Sequence, residues 1–300
     1  MIIINLRGGL GNQMFQIAFG KYLEKQYGFS VSYSRFYMRK EKGYKNHYNS
    51  YQNINSRNIK MLPFALDIIV SIYYRLKYEF FKVTHKSCDN YYTIMQNYSI
   101  LKTEKVYDYI PIDFKNTHYF DMYFQNINYL AGISPEIINE MEISADYKPN
   151  EENVKILRLI EKCENPVCVH IRRGDYLNDE NKNLVVCTKK YYENSIGEIM
   201  SRVQNPTFFI FSNNHDEIQW IKKNYNIPVK SVYVDLGNKD FEELYLMSKC
   251  RHFILSNSSF SWWAQKLSKT REVIIAPSIW IKDDPNSSGI YEDGWVLINP

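Results

Sequence analysis

The chain predicts an α/β fold built on parallel sheets, and three observations carry that prediction. β-Branched and aromatic runs recur at Val167–Arg172, Thr207–Ser212, Lys230–Asp235, His252–Ser256 and Glu272–Ala276. Segments with helical spacing fall between them, around Lys190–Arg202, Asp216–Asn224, Asp240–Cys250 and Ser261–Leu267. At the other end of the chain, a buried-strand run runs directly into a glycine turn and a helix pattern. Strands that alternate with helices pair in parallel through right-handed crossovers.

In chain order, Ile2–Leu6 reads as the first strand and Gly8-Gly9-Leu10-Gly11 as its turn. A helix is expected from near Asn12, carried by Met14, Ile17, Ala18 and Tyr22, with Gly28 as its stop. Phe29–Tyr33 is a second strand. The stretch to about Ser144 is rich in Tyr and Asn and irregular, apart from a helix expected over Leu62–Phe81. The polar, proline-bearing segment Ala145–Glu152 marks a domain boundary, giving domains 1–148 and 149–300, with the closing residues expected to pack back on the first. In the second domain, Asp240 and Glu243 have capping-box spacing.

Composition narrows the function classes. Lys and Arg number 37 against 33 Asp and Glu, a net charge of +4 that is too small to argue for nucleic acid, and no nucleic-acid-binding signature is present. The five cysteines lack a C-x-x-C pair and fit reduced thiols. The amino terminus has no signal-peptide pattern, so a soluble cytoplasmic chain is expected. The apolar run Leu62–Phe81 is interrupted by Asp67, Arg75, Lys77 and Glu79. That makes it too charged to span a bilayer, although one face can rest on a membrane surface.

Four turns carry chemistry. Alternation puts Val167, Val169 and Ile171 on one strand face and Cys168, His170 and Arg172 on the other, before the chain breaks at Gly174-Asp175. Arg172 and Arg173 therefore stand near the carboxyl end of a strand, where open α/β sheets bind ligands. An arginine pair there grips phosphate, or else pairs with local carboxylates such as Asp175 and braces the turn. Ser256-Asn257-Ser258-Ser259, at a helix start, offers backbone N–H groups and hydroxyls to an anion, or is ordinary capping. Asn213-Asn214-His215-Asp216 can read a base edge or cap a helix. Gly9, Gly11, Asn12 and Gln13 allow close backbone approach, yet the turn is neither a Walker loop nor a dinucleotide fingerprint. No D-x-D or metal-ligand spacing is present, so a metal-bridged diphosphate is not supported. His170 beside Arg172 is a hydrogen-bonded structural residue more readily than a base.

Together GGLGNQMFQ (8–16), HIRRGDY (170–176), FSNN (211–214), the block from Leu246 to Leu267 and the Asp293-Gly294-Trp295 tail resemble the bacterial and animal α-1,2-fucosyltransferase family. The resemblance spans nearly the whole chain. It implies a GT-B-like α/β fold, two Rossmann-like domains facing a central cleft, and an inverting enzyme. That enzyme would move L-fucose from GDP-β-L-fucose to the 2-hydroxyl of a galactose-terminated glycan without a metal or other cofactor. By resemblance Arg172 binds the β-phosphate and stabilises the leaving GDP, with His170 and Arg173 beside it, while Ser258 and Ser259 hold the diphosphate. Gly9, Gly11, Asn12 and Gln13 face the fucose and acceptor. Family members often carry Asp or Glu after the FS pair to bind guanine; Asn213 and Asn214 stand there, leaving Asp216 as the acidic candidate. Asp175 and Glu180 are the candidate bases. Another linkage (α-1,6 or α-1,3), another nucleotide sugar, or a non-catalytic nucleotide-sugar or glycan-binding module are the alternatives.

Overall fold

The computed structural model describes residues 1–40, 49–55, 59–85, 88, 90–173, 183–228 and 230–300. The chain divides into two compact units, Met1–Met141 and Glu142–Pro300. The division falls ahead of the polar segment 145–152. Tyr147 in that segment belongs to the second unit, where its hydroxyl donates to Glu242 Oε1 (3.3 Å) and accepts from Asn153 Nδ2 (3.2 Å).

The first unit runs β1 (Ile2–Asn5), α1 (Leu10–Tyr27), β2 (Val31–Ser34), α2 (Phe36–Lys40), a 3-10 turn (Ser50–Asn53), α3 (Phe64–Thr84) and α4 (Tyr91–Asn97). It continues with β3 (Ile100–Lys102), β4 (Tyr119–Asp121), α5 (Ile127–Leu130) and α6 (Pro135–Glu140). Its sheet has the order β2-β1-β4-β3, and all three pairings are parallel. One sheet face is covered by aromatic rings: Phe19 of α1 stacks on Phe124 at 4.0 Å and meets Phe120 edge-on. The other face packs Ile3, Ile100 and Tyr119 against Phe81 of α3 and Met95 of α4. Each such burial stabilises by roughly 1.5–3 kcal/mol over exposure. Among its described residues, the stretch expected to be irregular thus holds two strands and four helices besides α3. β3 and β4 span three residues each, too short for a period-2 pattern to register.

The second unit runs α7 (Glu151–Lys162), β5 (Asn165–Ile171), α8 (Lys189–Arg202), β6 (Pro206–Ser212), α9 (His215–Asn224) and β7 (Ser231–Tyr233). It closes with α10 (Asp240–Met247), β8 (His252–Ile254), α11 (Ser259–Leu267), β9 (Ile274–Pro277), a 3-10 turn (Pro285–Ile290) and β10 (Val296–Ile298). The expected strands and helices are all present. α7 and β10 are additional, and β10 pairs with β9 as an edge of this sheet, so the closing strand packs within the second unit. The order β10-β9-β8-β5-β6-β7 is the doubly wound one, with every pairing parallel. The chain steps outward from β5 to β7, returns to lay β8 against the other side of β5, and steps outward again. That reversal places the topological switch point between β5 and β8. Val167, Val169 and Ile171 lie in one core with Tyr191, Tyr192, Ile196 and Ile199 of α8, as the alternation predicts. All five cysteines are free thiols.

Candidate active site at the sheet switch point

Backbone physics positions this site. β5 ends at Ile171 and delivers Arg172 past its carboxyl end; β8 ends at Ile254 and leads through Leu255–Asn257 into α11. Ser258 is the N-cap of α11, with extended backbone and a hydroxyl that accepts from Phe260 N at 3.3 Å. Arg172 Nη1 donates to the same Ser258 Oγ at 3.1 Å, tying the two strand ends together. A guanidinium and the positive pole of a helix therefore share one position, an arrangement that an anion stabilises. Ser259 occupies the first turn beside them.

The layer beneath is fully hydrogen-bonded. His170 is buried, and its Nδ1 lies 2.8 Å from Ser256 Oγ. Ser261 Oγ donates to the carbonyls of Ser256 (3.0 Å) and Ser258 (3.1 Å). Tyr191 donates to Leu255 O (2.6 Å), Tyr192 to His170 O (3.1 Å), and Ser212 to Ile171 O (2.7 Å). Asn257 Nδ2 reaches the carbonyls of Leu184 and Trp280, each at 2.9 Å. Burial, assisted by the Arg172 charge, pushes the His170 imidazole down to about 3. The ring is neutral in the working range and acts as a positioning residue for the serine turn.

Arg173 departs from its expected place beside the phosphate. It turns to α9, where its guanidinium stacks on Trp220 and its Nε lies 3.6 Å from Glu217 Oε2. Successive residues leaving a strand point to opposite sides, so Arg172 and Arg173 diverge. Asn214 caps α9, its Oδ1 accepting from Glu217 N at 3.0 Å. Asp216 is exposed in the first turn of α9 and does not line the adjoining pocket.

That pocket lies past the ends of β6 and β7, with Ser212, Asn213, Asn214, Asp235 and Glu243 among its walls. Sequence reasoning missed its two acids. Asp235 Oδ2 is 2.8 Å from His215 Nδ1 and accepts from Gln219 Nε2 at 3.2 Å. Glu243 was expected in a capping box with Asp240. Instead Lys239 is the N-cap of α10, and its backbone N–H donates to Glu242 Oε2 at 2.9 Å. Glu243 is left to face the pocket. Burial, reinforced by Asp240 and opposed by Arg172, raises its carboxyl to about 8. The signal available in the sequence was the acidic run Glu242-Glu243 one turn into a helix that follows a strand. A carboxyl displaced this far marks a functional-site candidate.

In the first unit, the glycine turn is a braced structure. Gly8 has φ +76°, and a Cβ there would meet Asn12 Nδ2 at 2.2 Å. The helix starts at Leu10 with Gly9 as N-cap, two residues earlier than expected, so Asn12 does not cap it. Asn12 Oδ1 accepts from Gln125 Nε2 (2.8 Å), and buried Gln13 donates to Gly8 O (2.9 Å). Gly11 is buried within α1. At the switch point of this sheet, between β1 and β4, buried Asp121 accepts from Asn5 Nδ2 (2.9 Å) and pairs with Lys102 Nζ (2.8 Å) and Arg7 Nη1 (3.4 Å). Burial opposes the charges of Arg7 and Lys102, but Asp121, joined by Tyr123 and Glu104 at Arg7 and by Tyr37 at Lys102, holds both above their ordinary values. Asp175 and Glu180 lie outside the described residues.

The glycosyl transferase family 11 model matches residues 1–299. An α-1,2-colitosyltransferase from Escherichia coli is 30% identical, with 99% of each chain covered. The O-antigen biosynthesis glycosyltransferase WbnK, also from E. coli, is 26% identical over 97% of this chain and 98% of its own. The mouse galactoside α-(1,2)-fucosyltransferase 2 is 28% identical over 60% of this chain and 53% of its own. The fold is similar to that of the fucosyltransferase NodZ from Bradyrhizobium, with a TM-score of 0.51, 13% identity and coverage of 94% and 96%. A GT-B-like fold with two parallel-sheet Rossmann-like units and a family match over essentially the whole chain agree: the chain belongs to glycosyl transferase family 11.

Proposed function

We propose that this glycosyltransferase is an inverting α-1,2-fucosyltransferase, moving L-fucose from GDP-β-L-fucose to the 2-hydroxyl of a terminal galactose without a metal ion. The observation that carries the donor half is the Arg172–Ser258 contact across the β5/β8 switch point. Breaking the glycosidic bond builds negative charge on the departing diphosphate and positive charge on the sugar ring. Arginine is charged at every working pH, so Arg172 with the α11 N-terminus supplies that stabilisation from preorganised groups. Ser258 already accepts from Arg172, which leaves its hydroxyl proton to donate to a phosphate oxygen.

Guanine presents adjacent N–H donors on one edge, and a carboxylate accepts both. Asp235 and Glu243 wall the pocket beside Arg172, and Glu243, largely protonated near neutral pH in the free protein, meets that requirement on giving up its proton when guanine binds, whereas Asp216 faces solvent. Loss of the leaving group precedes full deprotonation of the acceptor in a dissociative transition state, so a weak base suffices; Asp175 and Glu180 are the candidates. Gly9, Gly11 and Asn12 are proposed for the sugar side, with Gln13 as the brace of their turn.

A colitosyl donor is the second reading, favoured by the 30% identical relative of matching length. The test incubates the protein with GDP-fucose or GDP-colitose and a panel of galactose-terminated acceptors, with and without EDTA, and assigns the product linkage by NMR. The expected result is an α-1,2-linked fucoside at a rate unaffected by EDTA. Binding of both donors with neither transfer nor hydrolysis would instead identify a binding module.

A further inference from the structure

Helix α3 is apolar on two sides. Its inner side packs Val70, Tyr74, Tyr78 and Phe81 against the sheet and is also fixed by polar contacts: buried Asp67 accepts from Ser34 Oγ (2.5 Å) and Arg35 N (3.2 Å) and pairs with Arg39 Nη2 (3.0 Å). Ser71 and Phe81 are buried on the same side. The outward side carries Ile69 (63% exposed), Ile72 (45%), Tyr73 (55%), Leu76 (65%), Phe80 (60%) and Val83 (82%). At about 100° per residue, these six fall within an arc of roughly 100°, opposite Asp67 and Phe81, with no charged residue inside it. A continuous exposed apolar stripe over a 21-residue helix marks an interaction surface.

Charge at the rim selects the occupant. Lys77 borders the stripe on one side and Glu79, then Arg75, on the other; Lys82, further round the helix, pairs with Glu79 at 2.7 Å, which leaves the rim net cationic. Lys77 lies 5.6 Å from the Tyr73 ring centroid, which keeps its aliphatic stem along the apolar face and its ammonium at the edge. Apolar and aromatic side chains on one face with lysine and arginine at its borders match the layering of an anionic lipid surface, acyl region inward and headgroups at the rim. A second copy of the chain would bring the same cationic rims together. No helix among the described residues is long and apolar enough to cross a membrane, so the contact is interfacial.

We propose that the outer face of α3 docks this protein onto anionic bilayers, lying in the plane of the headgroup boundary. The proposal is independent of the donor and acceptor assigned above. Flotation of the full chain with phosphatidylcholine vesicles containing phosphatidylglycerol, and with phosphatidylcholine alone, tests it. The expected result is recovery with the anionic vesicles, weakened by high salt, and at least tenfold weaker partitioning for the double variant Leu76→Glu/Phe80→Glu. Those positions are exposed, so the thermal transition of that variant should match the parent. Arg75→Glu/Lys77→Glu should weaken binding to the anionic vesicles alone. Failure to bind anionic vesicles at low salt, or binding unchanged in Leu76→Glu/Phe80→Glu, overturns the proposal. So does a concentration-dependent dimer in light scattering that the same variant abolishes, since it assigns the face to a second copy.

Discussion

The two units place a cation at the same topological position and set different neighbours against it. At the β1/β4 switch point, Arg7 and Lys102 close on the buried carboxylate of Asp121, and Arg7 also reaches Glu104 at 3.2 Å. At the β5/β8 switch point, Arg172 meets a serine hydroxyl at a helix N-terminus. The first arrangement is compensated from within the chain. The second concentrates positive potential where a ligand anion would sit. A parallel sheet with a helix after each strand therefore does not suffice to make a phosphate site; the residue facing the cation across the switch point decides.

The largest effect should come from removing the internal compensation. Asp121→Ala leaves Arg7 and Lys102 partly buried with only the exposed Glu104 as carboxylate, and urea unfolding should show a loss toward the lower end of roughly 3–5 kcal/mol. GDP binding measured by calorimetry on the folded fraction should be unchanged, and a parallel loss of GDP affinity would break the contrast between the units. Arg172→Ala should do the reverse. Transfer from GDP-fucose should fall on the order of a hundredfold or more in turnover, with the melting transition nearly unmoved. Near-parental turnover would remove Arg172 from the mechanism.

Glu243→Gln sharpens the second half of the comparison through pH. A carboxyl raised to about 8 in the fold and near its ordinary value when unfolded binds its proton more tightly in the native state. Its contribution to stability is therefore full at acid pH, declines as pH rises from about 4.5 to about 8, and is lost above that. Glu243→Gln removes this decline, so the variant should gain stability relative to the parent by roughly 1–3 kcal/mol at pH 8–9 compared with pH 4. His170, held neutral down to about 3, acts in the other sense and loses its contribution as pH falls below 6.5, equally in both proteins. A flat difference between the two proteins across pH would show that Glu243 is ordinary. The smallest effect is expected for Arg173→Ala. Its contacts with Glu217 and Trp220 are structural, so KM for the donor should change less than threefold while stability drops by about 1 kcal/mol.

Legibility in the sequence tracked the regularity of the run around each element. β5 and β6, at seven residues each, and helices α8 to α11 displayed their periods openly, whereas α7 was passed over because its start lies in the polar segment read as a domain boundary. β3, β4 and β10, at three residues each, did not; β7 and β8 are as short, but they sit in longer strand-like runs, Lys230–Asp235 and His252–Ser256, that marked them. The same limit applies to the site. Arg172 and Ser258 were visible because each sits where a strong pattern breaks. Glu243 was hidden because an acid in the first turn of a helix reads as a cap until Lys239 is seen to hold that position. Arg173 was misplaced because adjacency in sequence suggested a pair that strand geometry separates.

By itself, the sequence determined the α/β class, the parallel sheet of the second unit, the family and the arrival of an arginine at a strand end, since all of these follow from local periodicity and motif. Only the tertiary structure decided what each charge faces. Strand order brings β5 beside β8 and β1 beside β4, across 86 residues from Arg172 to Ser258 and 116 from Asn5 to Asp121. Whether a cation at a strand end meets a buried carboxylate, as Arg7 does at Asp121, or a serine at a helix N-terminus, as Arg172 does at Ser258, is a property of those long-range neighbours, which no local pattern encodes.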